Sequence, residues 1–297
     1  MERIIDLHMH TNKSDGALSP KEIVDEAVKN NVEIMAITDH DTLEAYTDDL
    51  IEYIKSKNIT LIKGVEISTK TDKVGAHVLG YNIDINNKEL VDKLYRLRNT
   101  RHVYLHDVSK KLEALGYKIN VKELDKIDAV TKAHIAQDIV ENKDNEELLL
   151  EVFKHIPNKG EFIETIMNEG CPAYTEKETI NPKEAADLIR KAGGKVFLAH
   201  PVAFKYEDNL TDEEVIEIAK SMNVDGIEAN YLYVDRNDNK IDDVEKWNKI
   251  AKENNWLASI GSDFHIADGL RPEVGFPNWK LRLTNDEINK LIKNILE

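Results

Sequence analysis

Short apolar runs that end on polar residues alternate with amphipathic stretches over the first part of the chain. Ile4 to Leu7 reads as a brief buried strand, followed at once by His8-Met9-His10. Ser19-Pro20 supplies an N-cap and a proline at the first helical position, so a helix is expected over Lys21 to Asn30. Ile34 to Thr38 is a compact apolar strand running into Asp39-His40-Asp41, and a helix from Leu43 to Lys57 follows it. Thr60 to Val65 gives a third strand, ending on Glu66, and Ala76 to Tyr81 a fourth, with His77 near its start.

From Lys88 to Pro172 the pattern changes. Helical periods over Leu90 to Leu115, Lys132 to Glu141 and Glu146 to Phe153 dominate, and no strand pattern stands out. Alternation then resumes. A helix starting at Asn181-Pro182 stops near Gly193-Gly194, and the strand Lys195 to Ala199 ends on His200-Pro201. Thr211 caps a helix over Asp212 to Met222, and the strand Gly226-Ile227 ends on Glu228. A helix over Asp243 to Asn254 precedes the strand Trp256 to Ile260, which leads into Gly261-Ser262-Asp263-Phe264-His265; a last helix spans Asn285 to Leu296. Seven strands alternating with helices predict a parallel α/β barrel one unit short of the eightfold form. Residues 1–87 and 173–297 would build it, with an all-helical insertion over 88–172.

Composition narrows the chemistry. With 297 residues, 41% of them hydrophobic and 32% charged, the chain can bury a sizeable core. A net charge of −16 argues against binding of extended duplex nucleic acid, which is mainly cation-driven. No apolar run approaches the ~18 residues of a membrane span, and Glu2, Arg3 and Asp6 break the layout of a secretory signal. A cytoplasmic location without a membrane partner is expected. The single cysteine, Cys171, excludes an internal disulfide framework.

The strand ends carry the candidate chemistry. Side chains at i and i+2 of a strand point the same way, so His8 and His10 can reach one ion together. Asp6 shares their parity and is expected to fix an imidazole tautomer. His40, Glu66, His77, His200, Asp263 and His265 also fall at or near predicted strand ends, and Asp15 lies in the first loop. In parallel α/β folds those ends open on one face. One histidine there is ordinarily a hydrogen-bonded structural residue, but six histidines and three acids converging argue for metal. Mixed imidazole and carboxylate donors suit zinc, manganese or iron, without choosing among them. His102, His106, His134 and His155 lie in the insertion, outside this group.

His8-Met9-His10, Thr38-Asp39-His40-Asp41, Gly64-Val65-Glu66, Ala199-His200-Pro201 and Gly261-Ser262-Asp263-Phe264-His265 together resemble the polymerase and histidinol phosphatase (PHP) family of metal-dependent phosphoesterases. The resemblance covers essentially the whole chain. It implies a distorted seven-stranded (β/α)7 barrel holding two or three divalent ions, with Glu66, Asp263 and His265 carrying the catalysis. One ion would take His8, His10, Glu66 and Asp263, and a second Asp15, His40 and His265. A third would take His77 and His200, with Glu66 bridging to the first.

The order and length of the insertion resemble the branch acting on nucleotides. The implied reaction is hydrolysis, by a metal-activated hydroxide, of a nucleoside 3′,5′-bisphosphate or a short 5′-phosphorylated oligoribonucleotide. Histidinol-phosphate hydrolysis and a non-catalytic metal-dependent binding module are the alternatives. Those relatives often carry Gly-Arg-Pro-His where this chain has Thr131-Lys132-Ala133-His134, which replaces a planar fork by a point charge. Lys132 and His134 are candidates for holding a distal phosphate, and Arg98 and Arg101, three apart on one predicted helix face, for assisting.

Overall fold

The computed structural model describes residues 3–127, 129–175, 180–279 and 281–297. The chain divides into two compact units, Met1–Lys93 with Thr179–Glu297, and Leu94–Glu178.

In the first unit β1 (Ile4–Asp6), α1 (Pro20–Lys29), β2 (Val32–Ile37) and α2 (Asp48–Ser56) lead to β3 (Thr60–Lys70) and β4 (Gly75–Tyr81). Ser19 and Glu22 close a capping box ahead of α1, with Pro20 at its first position. Both faces of β2 are covered, which explains its unbroken apolar sequence. Ile34 and Ala36 pack with Ile5, Ile62, Leu79 and Phe197 in one cluster. Met35 and Ile37 point the other way, onto Ile23 and Val24 of α1 and Leu50 and Ile54 of α2. Each such side chain contributes about 1.5–3 kcal/mol on burial.

The chain continues through α3 (Lys88–Ala114), α4 (Val121–Leu124), α5 (Lys132–Glu141), α6 (Glu146–Phe153) and α7 (Lys159–Phe162), the last prolonged by a π turn over Ile163–Met167. Every regular element among the described residues of Leu94–Glu178 is helical. Its core joins Leu105, Val108 and Leu112 of α3 to Ile135 and Ile139 of α5 and to Phe162. The spacing of three and four is that of one helix face. Cys171 is half-buried, its thiol donating to the Glu164 carbonyl at 3.0 Å.

The remainder returns to alternation: α8 (Pro182–Lys191), β5 (Lys195–Leu198), α9 (Ala203–Glu207), α10 (Asp212–Ser221), β6 (Gly226–Asn230), a small hairpin of β7 (Tyr233–Val234) and β8 (Lys240–Ile241), α11 (Val244–Glu253), β9 (Leu257–Ile260) and α12 (Asn285–Leu296). No helix among the described residues is long and apolar enough to cross a membrane.

Seven strands form one sheet in the order β1-β2-β3-β4-β5-β6-β9. The expectation of an all-parallel sheet is corrected at one strand: β4 runs antiparallel to both β3 and β5. The cause is the connection. Only a tight turn separates Lys70 from Gly75, where Thr71 accepts from Val74 N–H at 2.9 Å, and a parallel return needs a crossover of a dozen or more residues. The other strand pairs are parallel. Past the two edge strands, Leu7 N–H donates to the Ile260 carbonyl at 3.1 Å and Asp263 N–H to the His8 carbonyl at 2.8 Å. His10 N–H donates to the Phe264 carbonyl at 2.9 Å.

Candidate metal centre

The parity of His8 and His10 brings their Nε2 atoms to 3.0 Å from each other. Both follow β1, His40 follows β2, His200 follows β5, and Asp263 and His265 follow β9. Glu66 lies within β3 and bridges to His40 across the backbone. The reversal of β4 accounts for His77: in an antiparallel strand the early residues are the ones that reach this end of the sheet.

Backbone conformation at these turns is unusual. Asp41, His200 and Asp263 have φ of 51°, 27° and 52°, a region costing non-glycine residues of order 1–3 kcal/mol. Hydrogen bonds hold each one. Asp41 N–H donates to the Glu66 carbonyl and Asp263 N–H to that of His8, both at 2.8 Å. His200 N–H donates to Glu228 Oε2, also at 2.8 Å.

Glu66 is the hub. It is fully buried, and its Oε2 lies 3.2 Å from His8 Nε2, His10 Nε2 and His40 Nδ1. Its Oε1 lies 3.0 Å from His77 Nδ1 and 3.2 Å from His200 Nε2, atoms themselves 3.2 Å apart. Asp263 Oδ1 stands 3.3 Å from His8 Nε2 and 3.1 Å from His10 Nε2. Asp15 faces His265 Nε2 at 3.4 Å, His10 Nδ1 at 3.7 Å and His40 Nε2 at 3.8 Å. All nine residues singled out from the sequence are thus brought together.

These separations fit a cation better than a hydrogen-bond network. Donors about 2.1 Å from a tetrahedral zinc lie about 3.4 Å from one another. His10 Nδ1, buried and facing Asp15, has no hydrogen-bond partner among the described residues, which in a folded interior calls for an explanation. Three overlapping sets can each hold an ion: His8, His10, Glu66 and Asp263; His10, Asp15, His40 and His265; and His40, Glu66 and His77.

Electrostatics points the same way. Burial opposes charge on His10, yet Asp263, Glu66 and Asp15 push it up to about 10. Burial likewise opposes the rise of His200 to about 9, driven chiefly by Glu66. His8 is raised well above its ordinary range against burial, by Glu228, Glu66 and Asp263. His40 falls to about 3, because burial and the neighbouring His10 and His77 outweigh Glu66 and Asp15. Glu66, Asp15 and Asp263 stay well below the carboxylate range despite burial, held there by the surrounding imidazoles. Several buried carboxylates therefore demand positive charge in a small volume, and a divalent cation supplies it while displacing protons.

Two contacts were not foreseen. Asp6 does not touch an imidazole; it accepts from Ser262 N–H at 3.0 Å and Gly275 N–H at 2.9 Å. Burial still pushes its pKa up to about 6 against those bonds. The tautomer-fixing carboxylate is Glu228, whose oxygens lie 3.0 and 3.1 Å from His8 Nδ1. Its signal in the sequence was an acid ending a predicted strand at the same level as the others. Tyr231 donates its hydroxyl to Asp263 Oδ2 at 2.9 Å.

The candidate phosphate contacts belong to the helical unit and are tied into it. Lys132 Nζ donates to Asn168 Oδ1 at 3.1 Å, and His134 Nδ1 accepts Thr131 N–H at 3.1 Å, completing the cap of α5. Arg98 and Arg101 are 8% and 3% exposed, so neither is part of a solvated helix face. His102 and His106 pair with Asp125 at 2.9 and 3.3 Å.

Six imidazoles and three carboxylates gathered at one end of an α/β sheet form a donor set of the kind metal-dependent hydrolases use. Residues 6–168 match the PHP domain. Over 272 residues the chain is 30% identical to a 5′-3′ exoribonuclease of Haemophilus influenzae, covering 91% of this chain and 92% of that one. It is 26% identical to a 3′,5′-nucleoside bisphosphate phosphatase of Chromobacterium violaceum, covering 91% and 90%. Among solved structures, an amidohydrolase from Chromobacterium violaceum superposes with a TM-score of 0.74 at 24% identity, over 95% of this chain and 99% of that one. The chain belongs to the PHP domain family and is a metal-dependent phosphoesterase.

Proposed function

We propose that the chain hydrolyses a phosphate monoester on a nucleotide-like substrate, a nucleoside 3′,5′-bisphosphate or a short 5′-phosphorylated oligoribonucleotide. The sheet is read as a distorted (β/α)7 barrel closed between the segments after β1 and β9, and residues 88–172 as its helical insertion. The observation that carries the reading is the division of Glu66: one oxygen faces His8, His10 and His40, the other His77 and His200. A carboxylate so placed can serve two cations at once.

On this reading His8, His10, Glu66 and Asp263 hold one ion, Asp15, His40 and His265 a second, and His77, His200 and Glu66 a third. Manganese, zinc and iron all suit the donors. Bound there, the ions would neutralise phosphoryl oxygens and generate a nucleophile from water near neutral pH. The protein's own part is orientation. Tyr231 engages Asp263 Oδ2 and so leaves Oδ1 to His8 and His10. His77 and His265, with side chains 34% and 32% exposed, mark the open edge by which a phosphate enters. Lys132, His134, Arg98 and Arg101 stay as candidates for the rest of the substrate. Relatives named for RNA and nucleoside bisphosphates support a nucleotide over histidinol phosphate.

A manganese-loaded phosphatase panel tests this. It includes 3′-phosphoadenosine 5′-phosphate, mononucleotides, short 5′-phosphorylated RNA and histidinol phosphate. Turnover of a nucleotide or RNA is expected, lost on chelation and restored by manganese. Turnover of histidinol phosphate alone would overturn the substrate assignment. Asp263→Asn is expected to abolish activity and lower bound manganese with the circular dichroism spectrum unchanged; an active variant would mean the ligand map is wrong.

A further inference from the structure

β6 contributes none of the nine residues, yet one side chain on it and one just past it hold two of them. Glu228 is fully buried and meets His8 Nδ1 through both oxygens, at 3.0 and 3.1 Å. A carboxylate only accepts, so Nδ1 must carry the proton it shares. When a cation displaces the other ring proton, the lone pair it meets is therefore on Nε2, which faces His10, Glu66 and Asp263 at 3.0–3.3 Å. Just beyond the strand, Tyr231 ties down Asp263 Oδ2 at 2.9 Å. The place for this carboxylate is built in: a side chain on Gly261 would put its Cβ 2.2 Å from Glu228 Oε1.

Neither His200 nor His265 has a carboxylate so placed behind its ring among the described residues. His200 Nδ1 is buried without a hydrogen-bond partner among the described residues, and His265 Nδ1 has a backbone carbonyl, that of Asp263, at 2.9 Å. Glu228 does reach His200, but only through its backbone N–H. Donors already oriented by buried partners lose less freedom on taking up an ion, and a carboxylate behind an imidazole makes that imidazole a stronger donor.

We infer that Glu228 is a positioning residue which, with Tyr231, makes the His8–His10–Glu66–Asp263 group the tightest cation position of the centre, the first to fill and the last to empty. The inference rests on the ligand map proposed above. Its test is manganese binding to chelator-treated full-length protein, followed by isothermal titration calorimetry and by electron paramagnetic resonance, with elemental analysis for stoichiometry. Wild type should show a tight step followed by weaker binding. Glu228→Gln, nearly isosteric, should weaken the tight step about 10–100-fold and leave the weaker binding within threefold; Glu228→Asp should recover part of the loss. Tyr231→Phe should shift the same step by a smaller factor, and it keeps the test open should Glu228→Gln fold poorly. Wild-type affinity in Glu228→Gln, or an equal loss at every step, would overturn the inference while leaving the metal centre standing. Absence of any manganese binding in wild type would overturn both.

Discussion

Replacing Glu66 with glutamine is expected to lower kcat/KM at least a thousandfold, about 4 kcal/mol of transition-state stabilisation. The substitution preserves volume and leaves β3 intact, so the fold should survive. It removes one negative charge from a fully buried position and turns one of two acceptor oxygens into a donor. Whichever way the amide points, its NH2 faces ring nitrogens: either those of His8, His10 and His40 at 3.2 Å, or those of His77 and His200 at 3.0 and 3.2 Å. No rotamer spares both sides. Steady-state kinetics with manganese, beside metal content by elemental analysis, is the measurement. A variant within tenfold of wild type would remove Glu66 from the centre of the site.

Gly261→Ala is expected to do comparable damage from outside the donor set. The new methyl group would sit 2.2 Å from both Glu228 Oε1 and His8 Cβ and 3.2 Å from His8 Cα. Neither neighbour can withdraw freely: Glu228 Oε2 is held by His200 N–H, and the His8 carbonyl by Asp263 N–H. Overpacking of this kind costs typically about 1–3 kcal/mol, and a displacement near 1 Å at the chemistry costs roughly a hundredfold in rate. A lower urea midpoint and a fall in kcat of that order are expected together. Wild-type values for both would mean that the segment after β9 is looser than its hydrogen bonds imply.

Much of this was legible in local sequence. Strand parity put His8 and His10 on one side, caps such as Ser19-Pro20 and Thr211 set helix starts, and the 3.6-residue period marked α3, α5 and α6. Strand ends brought these residues together because parallel strands end on one edge of the sheet, and the antiparallel β4 brings His77 there from its first half. What escaped was long-range. The direction of β4 follows from the short turn after Lys70, which was readable but looked like one more link in an alternating chain. Which carboxylate backs His8 depends on strands 220 residues apart, and parity alone favoured Asp6 over Glu228. The left-handed backbone at His200 and Asp263 carries no glycine to announce it.

The donors are also divided along the chain: His8, His10, Asp15, His40, Glu66 and His77 precede the helical unit, whereas His200, Asp263 and His265 follow it. During synthesis the early six emerge as an incomplete set, two imidazoles, one carboxylate and three of the seven sheet strands short. Chain growth at about 5–20 residues per second leaves them waiting many seconds for Asp263 and His265. Of the three groups that can hold an ion only His40, Glu66 and His77 are complete in that interval, so on the proposed map the other two positions wait for the last strand to arrive, and loss of Asp263 and His265 with the residues after them would take two of the proposed donors away.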